Sequence, residues 1–282
     1  MAARRARSPA HAAKTGTLPA PGLANSASRG GPEFGLTGRV ALVTGASRGL
    51  GAAMAQALAQ AGADVILWAR DRSALERHAA SLRRFSRVLV QRVDVTDHAV
   101  VQRAVRQALQ VFPRIDILIN NAGVWGGDAA LRLSRRTWDQ VMATDLTGLF
   151  FVSQAVAPTM IKHRYGKIIN ISSTSAILVH PESAAYGTAK AGVMHLTRVL
   201  AMEWGPYGIR VMGIAPGVFR TDMTSDMYAD TRWAKQRQAA IPLRRWGEPE
   251  EIMGLAVFLA SNASDHLTGQ TIVIDGGASL TH

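Results

Sequence analysis

From Gly38 onward, short runs of β-branched and other apolar residues alternate with longer segments in which apolar positions recur every three or four residues. The short runs, at 39–44, 64–68, 88–92, 115–119, 167–171, 210–215 and 271–274, read as strands of a parallel sheet covered on both faces. Segments 49–62, 72–84, 97–112, 135–163, 184–204 and 249–260 have helical period. Thr96 and Ser134 stand where N-caps belong, and Gly62 and Gly166 where helices stop. No internal repeat is visible. The pattern predicts one α/β domain over 37–282, a doubly wound, seven-stranded parallel sheet with helices on both faces. The stretch 217–247, holding Met223, Met227, Tyr228, Trp233 and Trp246, breaks the alternation and suits a lid over a pocket.

The first 36 residues do not share this pattern. They are rich in Ala, Pro, Gly, Ser and Arg, lack an apolar signal core and carry prolines at 9, 19, 21 and 32. A disordered basic tail or leader is expected, and its Arg-bearing, acid-poor composition also fits an organellar transit segment. It holds five basic residues and one acidic, leaving 27 basic and 19 acidic residues for the rest of a chain of net charge +12. Those remaining charges are dispersed. No helix-turn-helix, zinc-finger or stacking-platform signature accompanies them, so nucleic acid is not an expected partner. No run of about 18 apolar residues suggests a membrane span. The chain has no cysteine, which removes disulfides and thiolate chemistry and fits the cytoplasm. Its eight histidines lack metal-ligand spacing, and no metal site is expected.

Chemistry enters at the strand ends. Thr44-Gly45-Ala46-Ser47-Arg48-Gly49-Leu50-Gly51 joins the first strand to the first helix, where free N–H groups and the helix dipole receive a pyrophosphate. Gly45 permits the sharp turn, Gly49 close backbone approach, and Gly51 packing of helix on sheet. At the end of the second strand, a carboxylate would hold a ribose 2′-hydroxyl, whereas arginine would pair with a 2′-phosphate. The acid position holds Ala69, followed by Arg70, with Arg48 in the glycine turn. NADP(H) is therefore favoured, with NAD(H) still possible because of Asp71. Asp94 and Asn120-Asn121-Ala122-Gly123 close the third and fourth strands, at the edge where such sheets bind ligands. Further on, Tyr186 and Lys190 share one helix face. The cation can there stabilise a phenolate and make the tyrosine a proton donor to an alcohol oxygen.

Together, Thr44-Gly45-x-x-x-Gly49-x-Gly51, Asn120-Asn121-Ala122-Gly123, Ser173, Tyr186-x-x-x-Lys190 and Pro216-Gly217-x-x-x-Thr221 resemble the short-chain dehydrogenase/reductase family, single-domain branch. The nearest subclasses are 3-oxoacyl-carrier-protein reductases and gluconate 5-dehydrogenases. The resemblance implies a Rossmann-type fold, an NAD(P) coenzyme, a small-molecule carbonyl or alcohol substrate, and a homotetramer or dimer. It implies that Tyr186 is the acid/base, that Lys190 lowers its pKa and holds the nicotinamide ribose, and that Ser173 hydrogen-bonds the substrate oxygen. Ser172 is the neighbouring alternative to Ser173. Coenzyme contacts are implied at Gly45, Ser47, Arg48, Gly49, Leu50, Gly51, Arg70, Asp94, Val95, Asn121, Ala122, Gly123, Tyr186, Lys190, Pro216, Gly217, Val218 and Thr221. One position departs from the family: its fourth catalytic residue, an asparagine, is Asp145 here, which predicts retained activity with an altered pH profile. Arg244 and Arg245 could steer an acidic substrate, while Tyr207, where carrier-protein reductases often place a basic docking residue, weakens the carrier-protein reading. A regulatory or scaffold protein that binds NADP without turnover is the rival reading, opposed by the intact Ser173, Tyr186 and Lys190.

Overall fold

The seven apolar runs form the strands β1 (Val40–Thr44), β2 (Asp64–Ala69), β3 (Val88–Arg92), β4 (Ile117–Asn120), β5 (Gly166–Ile171), β6 (Ile209–Pro216) and β7 (Thr271–Ile274). They lie in one all-parallel sheet of order β3-β2-β1-β4-β5-β6-β7. β1, β4 and β5 are buried along their whole lengths, as expected of strands covered on both faces. The computed structural model describes residues 33–225 and 231–281. The tail expected over 1–36 therefore lies almost wholly outside the described residues, as do Met227, Tyr228 and the side chain of Trp233. Leu36 is buried in the core and donates its N–H to the Ala61 carbonyl, and Phe34 lies with its ring centre 6.4 Å from that of Phe258.

Helices α1 (Gly49–Gln60), α2 (Arg72–Leu82) and α8 (Met253–Ala260) cover one face, with Met54, Leu58, Leu75 and Leu259 in its core. On the other face lie α3 (His98–Val111), α5 (Leu149–His163) and α6 (Ala184–Trp204), contributing Val101, Val152, Val156 and Leu200. Packed against α6, α4 (Arg135–Met142) continues through a π-helical turn, Ala143–Gly148, into α5. By length and composition this continuous helix, Arg135–His163, could cross a membrane; here Val152, Val156 and Met160 are buried in the core beside the sheet.

Some boundaries differ from the sequence expectation. Ser134 caps α4, accepting from the Thr137 N–H, but the cap of α3 is Asp97, which accepts from Val100. Thr96 instead donates its hydroxyl to Asp94. Gly62, at φ +100°, follows α1 as a stop. At α5 the stop is Arg164, left-handed at φ 49°, and Gly166 already belongs to β5. The stretch 217–247 is not irregular throughout: it contains α7 (Thr231–Ala240). Trp246 is buried with Ala234 and Ile241, which makes it packing rather than a cleft surface.

Candidate active site

Strand order reverses between β1 and β4, and the crevice beyond their carboxyl ends is where an open parallel sheet offers a ligand both strand-end loops and helix N-termini. A cleft of about 620 Å³ occupies this place, within the size range of small-molecule sites.

One end of the cleft is built by the glycine turn. Gly45 and Gly49 take φ of +65° and +56°, values a side chain would strain. A Cβ on Gly45 would come within 2.8 Å of Asn121 Nδ2, and one on Gly49 within 3.4 Å of Thr221. Asn121 pins the turn to β4 by donating its side-chain amide to the carbonyls of Thr44 and Gly45. Thr44 Oγ1 accepts the backbone N–H groups of Asn121 and Ala122. Behind it, Asn120 donates to Ser153 and Asn170, and Asn170 to Thr197. This buried polar chain fixes the edge on which the Asn-Asn-Ala-Gly turn stands. His78 Nδ1 contacts the Ala46 carbonyl at 3.0 Å, and burial holds its pKa below the usual value despite that hydrogen bond.

Gly45, Ser47, Arg48, Gly49, Leu50, Arg70, Asp94, Val95, Asn121, Ala122, Gly123, Pro216, Gly217 and Thr221 line the cleft, as do Asp145, Ser173, Tyr186 and Lys190. Gly51 lies behind the turn, where any Cβ would strike the Gly45 carbonyl. Val218 packs instead against Ile241 and Trp246. Neither Arg244 nor Arg245 lines the cleft: Arg245 pairs with Glu251 at 2.6 Å, and Arg244 donates to the Ala239 carbonyl. Among the lining residues that escaped the sequence reading are two on α2. Ala74 and Arg77 stand three residues apart in α2, the spacing that places them on one side of the helix, and both face the cleft. Asp71, whose carboxylate could oppose a phosphate there, accepts from the Ala74 N–H as the cap of α2. Arg48 reaches across to Asp222 at 3.3 Å, both largely exposed.

At the other end stand the acid–base groups. Ser173 is buried at the end of β5 and its Oγ accepts from the Ser175 N–H. Ser172 donates its hydroxyl to the Lys190 carbonyl, which commits it to holding α6. Lys190 is buried, donates to the Ile171 carbonyl at 3.0 Å, and lies 5.5 Å from the Tyr186 ring centre. Asp145 Oδ2 approaches Lys190 Nζ at 3.1 Å, while Oδ1 accepts from the Val124 N–H at 2.9 Å. The Oδ2 contact is ionic, without the alignment of a directed hydrogen bond. Burial pushes the Asp145 pKa up, against the opposing pull of Lys190 and the Val124 N–H. For Lys190, burial alone would lower the pKa, but Asp145 and then Tyr186 more than offset it, and the net direction is upward. The ammonium thus keeps its charge in a buried place because a carboxylate lies beside it. The π-helical turn sets Asp145 there, inside the fold rather than on a helix surface. Trp125, also unremarked in the sequence, packs edge-on against Tyr186, ring centres 5.0 Å apart. Among the described residues no three His, Asp or Glu side chains gather as a metal site.

The residues fit a dinucleotide: glycines where a pyrophosphate needs close approach, arginines at one end, and a proton donor with a buried cation at the other. This defines a dinucleotide-dependent oxidoreductase. A family model described as enoyl-(acyl carrier protein) reductase matches residues 45–279. Gluconate 5-dehydrogenase of Gluconobacter oxydans is 40% identical over 253 residues, 88% of this chain and 97% of that protein. A 3-oxoacyl-[acyl-carrier-protein] reductase of Synechocystis is 38% identical over 245 residues, covering 86% and 97%. The crystal structure of a gluconate 5-dehydrogenase from Burkholderia cenocepacia, in complex with NADP and tartrate, is similar with TM-score 0.84 and 38% identity, covering 89% and 99%. The chain belongs to the short-chain dehydrogenase/reductase family and is an NAD(P)-dependent enzyme acting on CH–OH/C=O.

Proposed function

We propose that residues 37–282 form an NADP(H)-dependent oxidoreductase that interconverts a ketone and a secondary alcohol, with Tyr186 as the acid/base. The observation that carries this reading is the buried Lys190 ammonium 5.5 Å from the Tyr186 ring, in the same cleft as Ser173 and the glycine turn. When bound, the nicotinamide supplies or accepts the hydride. Ser173 donates a hydrogen bond to the substrate oxygen and orients it. Tyr186 gives that oxygen a proton in the direction of reduction and removes it in oxidation. Lys190 stabilises the phenolate that remains, and Asp145 holds Lys190 in place as a positioning residue. Thr221, on the cleft wall, would hold the nicotinamide end of the coenzyme. Asp94, Val95 and the Asn121–Gly123 turn support the adenosine and ribose portions.

Preference for NADP(H) is supported by Ala69 at the usual acid position, by Arg48 and Arg70, and by Arg77 on the same cleft wall. The enzyme works as a homo-oligomer, tetramer or dimer, in the cytoplasm. To test the reading, NADPH and NADH oxidation is followed by absorbance against a panel of ketones, with Tyr186→Phe as control. Substrate-dependent oxidation in the wild type, lost in Tyr186→Phe, is expected; equal consumption by both proteins would refute the proton-donor assignment.

A further inference from the structure

We infer that the substrate is an uncharged ketone, or the matching alcohol, carrying a hydrophobic ring or chain that packs on Trp125, rather than a sugar acid. This rests on the proposed reading of the site and names its substrate class. The Trp125 indole meets the Tyr186 ring at 62° with centres 5.0 Å apart, yet 46% of the residue is exposed. A large apolar side chain left in solvent against a proton donor is the mark of a surface that a ligand covers. Its position is fixed. A Cβ on Gly126 would lie 2.8 Å from Thr137 and Val141, and one on Gly127 would lie 2.9 Å from the indole itself and strike the Glu182 carbonyl. The segment is therefore clamped between α4 and the loop before α6. Further exposed apolar side chains are Ile177 and Val179, which lie between Ser173 and Tyr186 along the chain, and Met223 on the cleft wall.

The charges point the same way. Among the described residues, the cations lining the cleft are Arg48, Arg70, Arg77 and Lys190. The three arginines belong to the glycine turn, the end of β2 and α2, and Lys190 is already engaged by Asp145 and the Ile171 carbonyl. Beside the Trp125 segment, among the described residues, the Glu182 carbonyl faces Gly127, and Asp128 is paired with Arg132 at 3.0 Å. Among the described residues that line the cleft, a carboxylate entering beside Tyr186 would lose water and find no cation beyond the engaged Lys190, whereas a hydrophobic ring would lose only water contacts it does not need.

The test uses the full chain with saturating NADPH and compares kcat/KM for β-tetralone, butanone and 5-ketogluconate, with coenzyme binding read by NADPH fluorescence. The expected result is that β-tetralone is preferred over 5-ketogluconate. Trp125→Ala should lower the β-tetralone to butanone selectivity ratio about tenfold, as uncovering roughly 50 Å² of apolar contact would give, and Trp125→Phe should retain most of it. Preference for 5-ketogluconate, or a ratio unmoved by Trp125→Ala, overturns this inference while leaving the oxidoreductase reading intact. Absence of any ketone reduction with NADPH binding preserved overturns both.

Discussion

Replacing Asp145 by asparagine removes one buried negative charge while keeping the shape of the side chain and an oxygen that can accept the Val124 N–H. The carboxylate stands 3.1 Å from Lys190 Nζ, and Lys190 stands 5.5 Å from the centre of the Tyr186 ring. At roughly 8 Å and an effective dielectric of about 20, one charge contributes ~2 kcal/mol, equivalent to about one and a half pH units. A nearby negative charge opposes loss of a proton from a phenol and equally from an ammonium. Taking it away therefore favours deprotonation of both groups, and the two limbs of the pH–rate profile should move in the same direction. We expect the acidic limb of alcohol oxidation in Asp145→Asn to lie about one pH unit lower than in the wild type, after allowance for screening. The plateau kcat should be retained within about tenfold, since the proton donor itself is unchanged. The assay is kcat/KM for alcohol oxidation across pH 5 to 11 with saturating NADP. Coincident profiles, or a shift toward alkaline pH, would refute the electrostatic role given to Asp145.

Lys190→Met should cost about 3 kcal/mol of folding stability near neutral pH, because it leaves the Asp145 carboxylate buried without its cation; the double variant with Asp145→Asn should recover most of that loss in urea denaturation. Because the folded pKa of Lys190 is raised above 10.5, the stability it contributes is fully present below that value. It should be lost as pH rises through the folded pKa, so the gap between wild type and Lys190→Met should close in strong alkali. Arg70→Ala and Arg77→Ala should each raise KM for NADPH several-fold, on the order of 1 kcal/mol for an exposed charge-assisted contact, with little change for NADH. Asp222→Asn should lower KM for NADPH by freeing Arg48, as steady-state kinetics with both coenzymes would show. Gly49→Ala, at φ +56° and facing Thr221, should cost ~1 kcal/mol of stability and a larger share of coenzyme affinity, measured by thermal unfolding and fluorescence titration.

The sheet was legible because each strand is a short apolar run between turn residues, and the coenzyme turn because glycines at fixed spacing answer a steric need. What escaped has physical reasons. α7 carries the polar sequence Thr-Arg-Trp-Ala-Lys-Gln-Arg-Gln-Ala-Ala, with no apolar stripe from which to read a period. Thr96 and Asp97 both suit an N-cap, and only the register of α3 decides for Asp97. Arg164 ends α5 in the left-handed region, a role that Gly166 seemed better suited to fill. The Asp145–Lys190 pair joins residues 45 positions apart across a π-helical turn that no local pattern announces. Arg77 lies on α2, beyond the strand-end segment where a partner for a 2′-phosphate is expected. Trp125 was not legible, since its meaning lies in a contact with Tyr186 made only on folding.

The most direct measurement is a crystal structure of the enzyme with NADP and a slow alcohol substrate. The nicotinamide ring should lie between Thr221 and the Ser173–Tyr186 pair, with the alcohol oxygen within hydrogen-bond reach of both hydroxyls and the 2′-phosphate near Arg70 and Arg77. A ring bound away from Tyr186 and Lys190, with the alcohol oxygen touching neither hydroxyl, would contradict the assignment of the chemistry to this cleft.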